Sequence, residues 1–254
     1  MDVLITKEQH TLTLQFNRPA KKNAITSAMY QQMVDALKEA ESDADIRVIL
    51  FIGSPQIFTA GNDLDDFMRN PPSTSESPVH QFLWQISHAE KPLVAAVAGA
   101  AVGIGTTMLL HCDLVYAAEN ARFSMPFVQL GLCPEAASSL LLPRLAGYQR
   151  AAEKLLLGEA FSAEEALQMG LVNRVVEPDQ LMACAAAQVA KLAALPAASL
   201  RATKRLMKSP QVAEVEAQMV SENHAFGAML SAPEAKEAFA AFFEKRKPDF
   251  SRFA

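Results

Sequence analysis

Residues Pro92–Leu110 read PLVAAVAGAAVGIGTTMLL, the longest apolar run in the chain. A membrane-spanning helix needs about 18–20 apolar residues in one unbroken stretch. This run is interrupted by Gly99, Gly103 and Gly105 and by Thr106 and Thr107, so it reads as a buried strand, a turn and a helix. Similar short apolar runs flank it, RVILFIGS at residues 47–54 and DLVYAAE at residues 113–119. Helical patterns lie between them. Strand and helix in alternation imply parallel strands covered by helices, an α/β fold.

Towards the N-terminus, VLITKE (3–8) and TLTLQF (11–16) are alternating stretches joined by a polar turn, a hairpin pattern. Thr26 or Ser27 can cap a helix running to about Ser42, with Met29, Met33, Val34 and Leu37 on one face. Asn70–Pro78, rich in Pro and Ser, reads as a loop. Beyond about Leu157 the pattern turns almost wholly helical, with a capping-box spacing at Ser162 and Glu165 and a stop at Gly170. The expected organisation is an α/β core over residues 1–195 and a helical region over 196–254.

The composition fits a soluble globular chain. Of 254 residues half are apolar and a fifth charged, and the net charge of −5 argues against a nucleic-acid surface. The sequence opens on a strand pattern, with neither a basic–apolar signal nor an Arg-rich transit helix, and no segment suits a membrane. Three widely spaced cysteines, Cys112, Cys133 and Cys184, fit thiols in a reducing compartment. A cytoplasmic location is expected.

Several motifs invite chemistry. Gly103 and Gly105 give two glycines of a dinucleotide fingerprint, but Met108 takes the third place, so nicotinamide binding is weakly supported. His111–Asp113 (HCD) are consecutive and cannot converge on one metal; a buried cysteine and a strand-opening aspartate explain them better. The acids of Asp63–Phe67 (DLDDF) suit a solvated helix start better than a cation site, and no metal is expected. SPQIFTAGNDLDDF (54–67) runs through small residues into that helix start, where unpaired amides can stabilise an oxyanion. The Gly103–Thr106 turn makes a second such start. Glu135, in QLGLCPEAASS (129–139), is the single acid between Asn120 and Ala152. Locally it reads as a first-turn glutamate behind Pro134. Two helix starts and one isolated carboxylate also suit proton abstraction beside a carbonyl.

NRPAKKNAI, FTAGNDL, the long stretch from Lys91 to Ser139 and the closing AFFEKRKPDF resemble, in order and over nearly the whole chain, the enoyl-CoA hydratase/isomerase (crotonase) family. The resemblance implies a crotonase-type spiral of repeated ββα units and a C-terminal helical region that forms a homotrimer or a dimer of trimers. It implies an acyl-CoA thioester as substrate, with coenzyme A part of that substrate and no separate cofactor. The amides of Asn62 and Ile104 would hold the thioester oxygen. Ala60, Gly61, Asn62, Asp63 and Leu64 would line the CoA entry, and Phe242 and Lys245 match positions that contact CoA. The two glutamates of the family's hydratases would fall at Thr107 and Phe127. Glu135 instead matches the sole catalytic carboxylate of its Δ3,Δ2-enoyl-CoA isomerases, whose role would lie in fatty-acid or related acyl-CoA degradation. Another enolate reaction of the family, hydration included, and a non-catalytic CoA-ester-binding protein remain open alternatives.

Overall fold

Gly99 is where the long apolar run folds over. In the computed structural model, which describes residues 1–72 and 74–253, the run holds two strands, Leu93–Val97 and Ala100–Val102, on either side of it. Gly99 has φ +63°, and a Cβ there would lie 1.8 Å from the Gln56 carbonyl oxygen, so the bend admits only glycine. The sequence pattern shows the first strand and the helix beyond but not the second strand, whose three residues are too few for a periodicity.

The described strands are β1 (Val3–Glu8), β2 (Thr11–Phe16), β3 (Val48–Ile52), β4 (Ile57–Thr59), β5 (Leu93–Val97), β6 (Ala100–Val102), β7 (Leu114–Ala118), β8 (Arg122–Ser124), β9 (Phe161–Ser162) and β10 (Arg174–Val176). They form a six-stranded sheet, β1-β2-β3-β5-β7-β10, and a four-stranded sheet, β4-β6-β8-β9. β1 and β2 are the expected antiparallel hairpin. Each of the pairs β3/β4, β5/β6 and β7/β8 sends one strand to each sheet, parallel to its neighbour from the preceding turn. The chain therefore winds as a spiral of ββα turns, the crotonase fold. β9 and β10 correct the expectation of an almost wholly helical second half. Both are short edge strands, recruited by sheets that already exist.

The helices are α1 (Ser27–Ser42), α2 (Leu64–Arg69), α3 (Pro78–His88), α4 (Ile104–Thr107), α5 (Ser138–Ala146), α6 (Tyr148–Leu157), α7 (Ala163–Gln168), α8 (Leu181–Ala194), α9 (Ala197–Lys208), α10 (Val212–Leu230) and α11 (Pro233–Glu244). Thr26 caps α1 by accepting from the Met29 amide. Ser162 and Glu165 form the reciprocal capping box at the start of α7. From α9 onward the described residues hold no strand. Part of the Asn70–Pro78 loop, Ser73, lies outside the described residues.

Successive side chains of β3 enter different cores. Ile49 and Phe51 join the large cluster with Phe16, Phe58 and Phe82, whereas Val48 and Leu50 join Leu181, Ala185 and Val189 of α8. The sheet is covered on both faces, which is why its central strands read as continuous apolar runs rather than alternating ones. Among the described residues no single helix is long and apolar enough to cross a membrane.

Candidate active site

Two chain segments, each opening a helix, are pressed together. Gly61 (φ +87°) lies so close to the second segment that a Cβ would meet the Val102 carbonyl oxygen at 2.9 Å. Asn62 forms a parallel bridge with Ile25. Ile25 donates to the Gly61 carbonyl at 2.8 Å and accepts from the Asp63 amide at 2.8 Å. In that pattern the bonds come from the residues flanking Asn62, so its own amide faces the opposite side. The amides of Ala60 and Gly61 are also occupied, by the Lys22 carbonyl and the Thr59 hydroxyl. Ile104 is the first residue of α4, behind Gly103, and has no intrahelical acceptor. Asn62 and Ile104 thus supply free donors on adjoining segments.

The acids of the first segment have structural work. Asp63 caps α2 through the Asp66 amide and pairs with Arg18 at 2.6 Å. Burial pushes its pKa up, but the bond and charge of Arg18 prevail and hold it below the ordinary value. Asp66 accepts from the Ser27 amide at 2.6 Å.

Glu135 is buried, 5% exposed, and its Oε1 has no hydrogen-bond partner among the described residues. It lines a cavity with Phe67, Val79, His80, Asn223 and Phe226, and is the one carboxyl in that lining. Burial first, and the charge of Glu222 second, raise its pKa to about 8. The sequence places Glu135 in the first turn of a helix, but α5 begins only at Ser138. Between them Ala136 (φ 62°) and Ala137 (φ 54°) are both left-handed. Such alanines cost about 1–2 kcal/mol each. His111 donates from Nε2 to the Ala136 carbonyl at 2.8 Å, and Glu222 accepts from the Ala137 amide at 2.6 Å. Burial holds the His111 pKa down at about 4, so the ring is neutral.

Tyr30 holds the side chain of the first segment's Asn62 and feels the charge of Glu135. Its hydroxyl donates to Asn62 Oδ1 at 2.5 Å. Burial, then the charge of Glu135, raise its pKa well above the usual value. Sequence reasoning missed Tyr30, His111 and Glu222. One signal for Glu222 was available: it occupies the apolar stripe of α10 beside Val215, Met219 and Phe226, where an acid has no business unless it is matched by donors.

The profile described as enoyl-CoA hydratase/isomerase matches residues 6–252. The chain belongs to the enoyl-CoA hydratase/isomerase family. It is 33% identical to 2,3-dehydroadipyl-CoA hydratase of Escherichia coli over 250 residues, 98% of each chain. It is 37% identical to enoyl-CoA delta isomerase 2 of Rattus norvegicus over 221 residues, 85% of this chain and 56% of the relative. The solved enoyl-CoA hydratase/isomerase of Pseudoalteromonas atlantica T6c superposes with a TM-score of 0.94 at 43% identity, covering 99% of this chain and 100% of that one. The activity class is therefore that of a crotonase acting on acyl-CoA. Hydratases and isomerases both occur among these relatives.

Thr107 and Phe127, where the resemblance would put the hydratase glutamates, are both buried, and the Thr107 hydroxyl has no partner among the described residues. Phe242 and Lys245 sit at the exposed end of α11, where Phe242 stacks edge-on against Phe243 and Lys245 is the left-handed cap. Neither lines the Glu135 cavity of this chain. The HCD residues serve separately. His111 holds Ala136, Cys112 is a half-buried thiol whose pKa desolvation pushes up to about 12, and Asp113 pairs with Lys204 at 2.7 Å.

Proposed function

We propose that the protein is a Δ3,Δ2-enoyl-CoA isomerase, moving the double bond of a 3-enoyl-CoA to C2–C3 with Glu135 as the single acid/base. The observation that carries the reading is the unpartnered, buried Oε1 of Glu135 in an otherwise carboxyl-free cavity. Isomerisation is a proton shift: one carboxylate takes the C2 proton and returns it at C4, and the dienolate oxygen between rests on the amides of Asn62 and Ile104. A base with a raised pKa is a good acid for the return step. Hydration needs a second carboxylate to orient water, and among the described residues Glu135 is the one carboxyl lining the cavity. Glu222 is the other buried acid nearby, and both its oxygens accept from protein donors. Backbone groups of Ala60–Leu64 would guide CoA, and Phe242 and Lys245 would meet it across a subunit boundary. Coenzyme A arrives as part of the substrate, so the reaction calls for no separate cofactor. Exposed Leu206, Val220 and Phe242 on α9, α10 and α11 support assembly as a homotrimer or dimer of trimers.

The test is isomerisation of trans-3-hexenoyl-CoA by wild type and Glu135→Gln, with hydration of 2-hexenoyl-CoA measured alongside. Isomerisation that collapses in the variant, with negligible hydration by the wild type, supports the reading. Dominant hydration, or isomerisation that survives the substitution, sinks it.

A further inference from the structure

The turn that presents Glu135 is held from a distance. Glu222 stands on the buried face of α10. Its Oε2 accepts from the Ala137 amide at 2.6 Å, and its Oε1 accepts from the Ser139 amide at 3.0 Å and from the Ser139 hydroxyl. Gln218, one turn earlier on α10, donates to Ser139 Oγ at 2.8 Å. These donors lie at the N-terminus of α5, where a carboxylate is favoured. The bonds favour the anion, while burial outweighs them and leaves the Glu222 pKa above the ordinary carboxylate value.

We propose that Glu222 is a positioning residue for proton transfer at Glu135: its carboxylate fixes the left-handed turn that aims Glu135, and its charge faces the Glu135 carboxyl. The proposal rests on the isomerase reading above. Strain at two consecutive alanines persists only if the surroundings over-determine it. Here His111 holds the Ala136 carbonyl from one side and Glu222 the Ala137 amide from the other. Remove the Glu222 bonds and the turn can relax, carrying the carboxyl out of register with C2 and C4 of the substrate.

Glu135 is faced by Tyr30 from α1, Glu222 from α10 and Cys133 from its own loop, and shares its cavity with His80 of α3. Burial keeps the Tyr30 hydroxyl and the Cys133 thiol protonated. One His80 ring nitrogen is tied to the Thr74 carbonyl. Glu222 is the charge that acts on Glu135.

Two variants of the full chain separate the functions of Glu222. Glu222→Gln retains the shape and one acceptor but removes the charge; Glu222→Asp retains the charge and withdraws it by one methylene. Both are assayed on trans-3-hexenoyl-CoA from about pH 6 to about pH 10, with melting curves alongside and Glu135→Gln as control. Glu222→Gln is expected to move the rising limb of kcat/KM down by about one pH unit. Glu222→Asp is expected to keep the limb and lose kcat roughly tenfold at unchanged KM. Should Glu222→Gln fail to fold, the Asp variant decides alone: a kcat loss with KM kept supports the proposal, and wild-type kcat overturns it. Wild-type limb and kcat in both, with Glu135→Gln inactive, would overturn the role of Glu222 and leave the isomerase standing. An active Glu135→Gln would instead remove the reading on which it rests.

Discussion

Glu222 occupies the place at the N-terminus of α5 that the sequence offers to Glu135. Its Oε2 lies 2.6 Å from the Ala137 amide, while Glu135, nearer in sequence, leaves Oε1 without a partner. One acid takes the dipole and the donors; the other is left bare, its pKa raised to about 8. Burial raises the pKa of both carboxyls, and hydrogen bonds from the protein oppose that rise at Glu222, an asymmetry that suits an acid/base beside a positioning carboxyl.

The bare carboxyl should tell on stability. Glu135 has a folded pKa of about 8 against an ordinary 4.5. Between those values the folded state holds a proton that the unfolded state has lost, so stability falls as pH rises from about 4.5 through about 8. Glu135→Gln removes this penalty. The variant should melt near the wild type at about pH 4.5 and above it at about pH 8.5, by an amount on the order of 4 kcal/mol at most. A constant difference between the two melting curves across this range would mean that Glu135 is not buried as an acid.

Tyr30 anchors the side chain of Asn62, so Tyr30→Phe should loosen that segment of the site. The variant keeps the ring packed against Phe82, whose centroid is 5.3 Å away, and loses only the bond to Asn62. Stability should change by about 1 kcal/mol, the net worth of one hydrogen bond. Turnover should fall roughly tenfold, since the Asn62 backbone is steered by that side chain. Wild-type kcat would show that the bridge to Ile25 holds the amide unaided.

What could be read in the sequence was local. The hairpin, the strands β3, β5 and β7, the Thr26 cap and the Ser162–Glu165 box each depend on neighbours a few residues away. The small-residue stretches leading into two helix starts were legible too, whereas the choice of the Asn62 and Ile104 amides came from the family resemblance. The partners of the site were not legible: Tyr30 reaches Asn62 across 32 positions, His111 reaches Ala136 across 25 and Glu222 reaches Ala137 across 85. No periodicity carries such pairings. Strands β6, β8 and β10 escaped for a different reason, being three residues each and defined by the sheet they join.

His111 offers a test of the strained turn from the other side. His111→Phe keeps the bulk but leaves the buried Ala136 carbonyl unpaired, at a cost of about 1–3 kcal/mol near neutral pH. The wild-type ring is neutral when folded, with a pKa of about 4. Unfolded chains take up the proton first as pH falls from about 6.5, so the wild type loses stability from there down to about pH 4. The variant has no such loss, and its deficit should shrink in acid. A deficit independent of pH would place the imidazole outside the buried position that the argument requires.

Gly227 bears on the length of the acyl group. It lies inside the 19-residue helix α10, where glycine is about 1 kcal/mol worse than alanine. A Cβ there would meet no atom of the described residues within 4 Å. Yet Gly227 lines the cavity that holds Glu135. An unneeded glycine facing the cavity leaves space for substrate. Gly227→Ala should raise Tm by about 2–4 °C, the increment expected for about 1 kcal/mol in a chain of this size. Gly227→Leu should fill the space. Its kcat/KM for a long 3-enoyl-CoA such as 3-dodecenoyl-CoA should drop roughly tenfold or more, while 3-hexenoyl-CoA is turned over within about twofold of wild type. Equal losses at both chain lengths would mean that the leucine disturbs the Glu135 turn rather than the acyl end, and the glycine would then have no part in specificity.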